Sequence, residues 1–157
     1  MTRPPSIVQF ERLYWASFVI GLANNAATWG SRKQILAANP MLANAGWFLP
    51  TVTVVSIAVA VTLWYFIVRS PSVVAKWFQV AFAAFGVLGI LSSLFILANG
   101  TAPAMLPVVL GIVANLLYLG AAVMLFRADA KEWFGEDLDD DDDDGADVPP
   151  PRTEQIA

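Results

Sequence analysis

Hydrophobic residues run along this chain in four long blocks, and short polar or charged stretches divide them. The blocks cover residues 13–29, 47–68, 77–97 and 104–126. About 20 apolar residues in a helix cross roughly 30 Å of hydrocarbon, so each block predicts a transmembrane helix. The uncharged stretch from Trp77 to Phe126 is too long for one crossing. The turn residues of "ANGTAP", Ala98 to Pro103, divide it into a tight hairpin. The blocks are continuously apolar, whereas barrel strands alternate every second residue, so helices are expected rather than a barrel. Pro50 and Pro107 fall in the first turns of the second and fourth blocks, where a missing N–H costs little. The fold class expected is all-α: an integral membrane, antiparallel four-helix bundle over residues 1–134, then a disordered acidic C-terminal tail over 135–157.

Composition agrees with a membrane chain. Hydrophobic residues make up 57% and charged residues 14% of the 157, against about 25% charged in soluble domains. The net charge of −4 hides two unlike parts. Residues 1–128 hold seven basic residues and one acid, Glu11, for +6, while 129–157 hold two basic and twelve acidic residues, for −10.

Lys and Arg in short loops set orientation. Arg3, Arg12, Arg69, Lys76, Arg127 and Lys131 fall on one side and only Arg32 and Lys33 on the other, so both termini are expected in the cytoplasm. Tryptophan prefers the interface, where the indole is apolar and its N–H reaches water. Trp29 and Trp47 mark the outer boundary by this reading, and Trp15, Trp64, Trp77 and Trp133 the inner one. A cleaved secretory signal ending near Ala27 is disfavoured, because Tyr14, Trp15 and the Asn24–Asn25 pair are poor signal material.

The chain has no histidine and no cysteine. That removes the commonest ligands of haem, zinc, copper and iron–sulfur clusters, together with disulfides and thiol or imidazole catalysis. No G-x-S-x-G, P-loop or G-x-G-x-x-G occurs, and no span carries the ionisable residue on which small ion-coupled transporters depend. An enzyme is not expected, nor a cofactor, a metal or a nucleic-acid partner.

The informative residues are polar ones inside the spans. Ser17, Gly21, Asn24, Asn25 and Thr28 lie at i, i+4, i+7, i+8 and i+11, on one face of the first helix. Gly111, Asn115, Tyr118 and Ala122 repeat that spacing in the fourth, and Gly86, Gly89 and Ser93 offer small residues in the third. Helices in lipid associate through close packing over small residues and interhelical hydrogen bonds averaging about 0.6 kcal/mol. The stripes therefore read first as bundle seams. The sharper alternative is a cavity lined by Asn24, Asn25, Asn115 and Tyr118 for a neutral or weakly polar ligand.

The loop "GSRKQILAANPMLANAGW", Gly30 to Trp47, predicts a short interfacial helix capped by Ser31 and ending before Pro40. "RSPSVVAKWF" and "RADAKEWF" echo one another after the second and fourth spans, each supplying a basic residue for head groups and an aromatic anchor.

Three segments, "RPPSIVQFERLYWASFVIGL", "VVAKWFQVAFAAFGVLG" and "LFRADAKEWF", resemble a group of small, uncharacterised four-span bacterial inner-membrane proteins. The likeness covers residues 3–134 and omits the tail. It implies a four-helix protein of the bacterial inner membrane and carries across no activity and no site residues.

The tail holds "GEDLDDDDDDG", Gly135 to Gly145, and a proline run. It has too little apolar surface to fold and lacks the spacing and closing Glu of an EF-hand loop. Solvation is its plain role, and a weak, salt-sensitive docking arm for a basic cytosolic partner is the alternative. The function expected is a non-enzymatic scaffold or accessory subunit, packing against another membrane protein or itself. The alternative is a channel or transporter for a small neutral or hydrophobic solute, built as a homo-oligomer.

Overall fold

The computed structural model describes residues 3–42, 44–100 and 104–136. The acidic run expected to be disordered lies outside the described residues from Asp137 onward. Among the described residues there are six helices and no strand: α1 (Pro5–Ala27), α2 (Trp29–Ala38), α3 (Phe48–Val68), α4 (Val73–Ala98), α5 (Met105–Met124) and α6 (Ala128–Phe134).

Local chemistry sets the helix ends. Pro5 opens α1, where its fixed φ fits and its missing N–H costs nothing. Ser72 caps α4 by accepting the Ala75 N–H. Gly100 and Gly135, at φ of 63° and 72°, follow α4 and α6 in the left-handed region that side chains disfavour. Ser31 is not a cap: α2 starts at Trp29, and Thr28 accepts the Arg32 N–H while donating its own N–H to Asn24. The backbone therefore runs almost unbroken from α1 into α2.

Helices α3, α4 and α5 are long and apolar enough to cross a membrane, with window hydropathies of 2.2, 2.4 and 2.1. That is the mark of a multi-pass membrane protein in contact with lipid. α1, which carries the expected crossing at 13–29, is long enough at 23 residues but less apolar, since Glu11, Arg12, Asn24 and Asn25 dilute it.

Neighbours run antiparallel. Along α1 and α5, Leu13 meets Gly120, Ser17 meets Ala114 and Asn24 meets Gly111. Along α4 and α5, Trp77 meets Phe126, Gln79 meets Tyr118 and Gly86 meets Asn115. α3 touches α1 where Tyr14 donates to the Ala60 carbonyl and Trp64 donates to Glu11.

The end bearing α6 and the α3–α4 turn is the base; the end bearing α2 is the rim. The core sits at the base, where Ile7, Phe10 and Tyr14 of α1 pack with Ile67, Leu125 and Phe134. α6 closes it from below: Asp129 accepts the Ser6 N–H at 3.0 Å, and the Trp133 indole donates to the Ile67 carbonyl at 3.0 Å. Lys76 is not the surface cation that the sequence echo suggests. It is 2% exposed, paired with Glu136 at 2.6 Å, with the Phe126 and Phe134 rings beside its ammonium. The rim half differs sharply, since no residue of α3 from Pro50 to Thr62 and none of α4 beyond Ala83 is buried.

Candidate functional site

Because the helices close at the base and spread toward the rim, they leave between them an open cavity of about 680 Å³. Its two sides differ. α1 and α5 contribute Ser17, Gly21, Asn24, Asn25, Gly111, Asn115 and Tyr118, whereas α3 and α4 contribute mainly Val55, Val59, Leu63, Phe82 and Phe85. Among the described residues no charged side chain lines it, so it suits a neutral occupant.

Gly111 organises the polar wall. Its carbonyl accepts the Asn115 Nδ2 hydrogen at 2.9 Å, one turn along α5. The Asn24 carboxamide packs beside Gly111, with Nδ2 3.6 Å from where a Cβ would sit, an ordinary contact. At Gly86 of α4 the missing side chain does make room, since a Cβ there would stand 2.9 Å from Asn115 Oδ1. The two carboxamides thus gather around α5 without bonding to a neighbouring helix. Asn115 Oδ1 accepts no hydrogen bond among the described residues, and Asn24 Oδ1 is buried with no partner.

Four of the lining hydroxyl groups behave differently, because each is committed inside the protein. Ser17 donates to the Ala114 carbonyl at 2.8 Å, Tyr14 to the Ala60 carbonyl at 2.8 Å and Tyr118 to Gln79 Oε1 at 2.9 Å. Ser56 donates back to Val52 within its own helix. The rings of Tyr14 and Tyr118, 5.7 Å apart, form the floor with Leu63, and below them lies the dry base.

Of the expected polar residues, Thr28 and Ser93 miss the cavity: the Thr28 hydroxyl bonds the Asn24 and Asn25 carbonyls at 2.8 and 3.3 Å, and the Ser93 hydroxyl donates to the Gly89 carbonyl at 2.8 Å. Among the tryptophans, Trp15 and Trp64 meet edge to face at 5.5 Å, and Trp64 gives its N–H to Glu11. Trp133 also uses its N–H internally, while Trp77 stands exposed beside Phe126. Trp29 lines a smaller rim cleft of about 340 Å³ that shares Leu22, Asn25 and Thr53 with the main cavity. Trp47 is exposed at the start of α3.

Sequence reasoning passed over Gln79, which is fully buried with an unpartnered Nε2. An amide inside an apolar block is the signal that marks it. It also passed over the phenylalanine wall, because nothing in an apolar block separates a cavity-facing ring from a lipid-facing one. No protein-family model, curated protein or solved structure matches this chain.

Proposed function

We propose that the chain is a non-enzymatic, four-span protein of the bacterial inner membrane, with its base toward the cytoplasm, and that the rim-side cavity binds a small, neutral, largely apolar molecule. The observation that carries this reading is the state of Asn24 and Asn115. Seam residues would hydrogen-bond across helices, whereas these two carboxamides stand beside a cavity and neither oxygen has a partner. A volume of about 680 Å³ lies within the usual range for small-molecule sites. The closed floor argues for a binding protein or carrier over an open channel. The basic base and the sequence resemblance support the orientation and the fourth crossing. A role as a packing subunit for another membrane protein draws only on apolar faces that lipid alone would cover.

The test uses the full chain in lipid nanodiscs titrated with Nile red, a neutral dye that brightens in apolar surroundings. Gly21→Leu fills the cavity, since a Cβ at Gly21 meets nothing within 4 Å. It should abolish saturable binding while leaving the melting temperature unchanged or higher. Gly30→Leu, on α2 and away from the cavity, should bind as the parent does. Saturable binding that survives Gly21→Leu would remove the assignment.

A further inference from the structure

The cavity's hydrogen-bonding inventory narrows the ligand class, on the understanding that the cavity is a ligand site at all. Every hydroxyl on its lining that forms a bond donates it to the protein itself. What remains at the α1–α5 wall is carboxamide, and two of its acceptors, Asn24 Oδ1 and Asn115 Oδ1, take no hydrogen. Asn24 Oδ1 is buried without a donor, which is costly, so an occupant that brings a donor to it relieves a defect already built into the apo protein, while Asn115 Oδ1 is an open acceptor beside it. The broad second torsion of asparagine lets Asn24 turn its oxygen inward at small cost. A positive head group would meet no counter-charge and a carboxylate no basic residue. The opposite wall, led by Phe82, Phe85 and Val55, is mainly apolar, with Thr53 and Ser56 its polar side chains, and the outer halves of α3 and α4 leave it unburied toward the bilayer.

We propose that the site takes a lipid-soluble molecule with a neutral, donor-bearing head, of the hydroxyl or primary-amide kind, seated against Asn24 and Asn115, and an apolar body lying along Phe82, Phe85 and Val55. Such a ligand reaches the cavity from the membrane between the outer halves of α3 and α4.

The head-group series hexadecanol, hexadecyl methyl ether, hexadecane and palmitate tests it, with each compound displacing Nile red from the full chain in nanodiscs at matched membrane mole fraction. Hexadecanol should half-displace the dye at about a tenfold lower mole fraction than the ether or the alkane, the factor expected for one hydrogen bond to a buried acceptor. Palmitate should be the weakest, and 1-butanol at the same mole fraction should displace little. In Asn24→Leu with Asn115→Leu, with each displacement referred to that variant's own dye affinity, the alcohol should lose its advantage over the ether. Equal potency of alcohol and ether in the parent chain overturns the donor requirement, and equal potency of butanol overturns the apolar body, while both leave the cavity as a ligand site. Failure of Nile red to bind the parent chain instead removes the ligand site itself.

Discussion

At the scale of single residues, the two cavity glycines that face a carboxamide, Gly86 and Gly111, behave differently. A methyl at Gly86 would sit 2.9 Å from Asn115 Oδ1, closer than real carbons approach, whereas at Gly111 it would sit 3.6 Å from Asn24 Nδ2, an ordinary contact. The atom that must yield at Gly86 is the free end of a short side chain, so strain is small. Replacing a helical glycine by alanine also returns up to about 1 kcal/mol. Gly86→Ala should therefore leave the melting temperature within a few degrees of the parent but swing Asn115 off the Gly111 carbonyl, and the alcohol preference in the displacement assay should fall several-fold. Gly111→Ala should change neither reading. Ser17→Ala is the opposite kind of change. It deletes the 2.8 Å bond to the Ala114 carbonyl and should cost about 0.6 kcal/mol, at most about 2, in thermal unfolding in mild detergent, without altering the head-group preference.

At the scale of elements, α6 shows how a seven-residue helix is held where its own length gives it no stability. Asp129 anchors its first turn to the N–H of Ser6, and this bond, with Arg127 nearby, holds the Asp129 carboxyl below the usual carboxylate range. A lowered folded value means that the stabilisation is fully present above the ordinary value of about 3.9 and is lost as pH falls through the folded one. The protection of α6 amides against exchange, relative to those of α5, should thus be flat from pH 8 to pH 5 and fall only in strong acid. Asp129→Asn should lose that acid transition, and an α6 that loosens already near pH 6 would contradict the contact. None of this was legible in the sequence, because Ser6 and Asp129 lie at opposite ends of the chain. Helix α1 was legible only in part: the apolar block begins at Leu13, but the helix begins at Pro5. The earlier turns present Ile7, Phe10 and Tyr14 at i, i+3 and i+7, a core-facing stripe rather than a lipid-facing one. The apolar blocks fall on α3, α4 and α5 within a few residues, since hydrocarbon thickness constrains length so tightly. The polar stripes were legible as faces, yet a stripe cannot say whether its neighbour lies close or stands off. That depends on α3, which leans on α1 at Tyr14 and Trp64 and departs above them.

At the scale of the whole molecule, a dry base carries an open rim, so the cavity's floor inherits its rigidity from the base. One turn below Gln79, which holds Tyr118 in that floor, Lys76 pairs with Glu136 and ties α4 to the segment leaving α6. Lys76 is 2% exposed and Glu136 about a quarter exposed, so the two partners have unequal alternatives. If Glu136 is removed, the ammonium keeps only the Phe126 and Phe134 faces, at 4.8 and 5.4 Å, in place of a carboxylate. Breaking a fully buried pair costs about 3–5 kcal/mol; with one partner reaching water, roughly 1–3 is expected. If Lys76 is replaced by Met, the buried charge disappears, the aromatic slot stays filled and Glu136 turns to solvent, so the cost should be near zero. Thermal unfolding should therefore rank Glu136→Ala below both Lys76→Met and the parent chain, which should lie close together. Nile red affinity should follow the same order, because a base that loosens around an unpaired ammonium frees the Tyr118–Gln79 floor above it. The reverse ranking, with Lys76→Met the less stable, would show that the pair itself, rather than the need to neutralise a buried cation, holds the base closed.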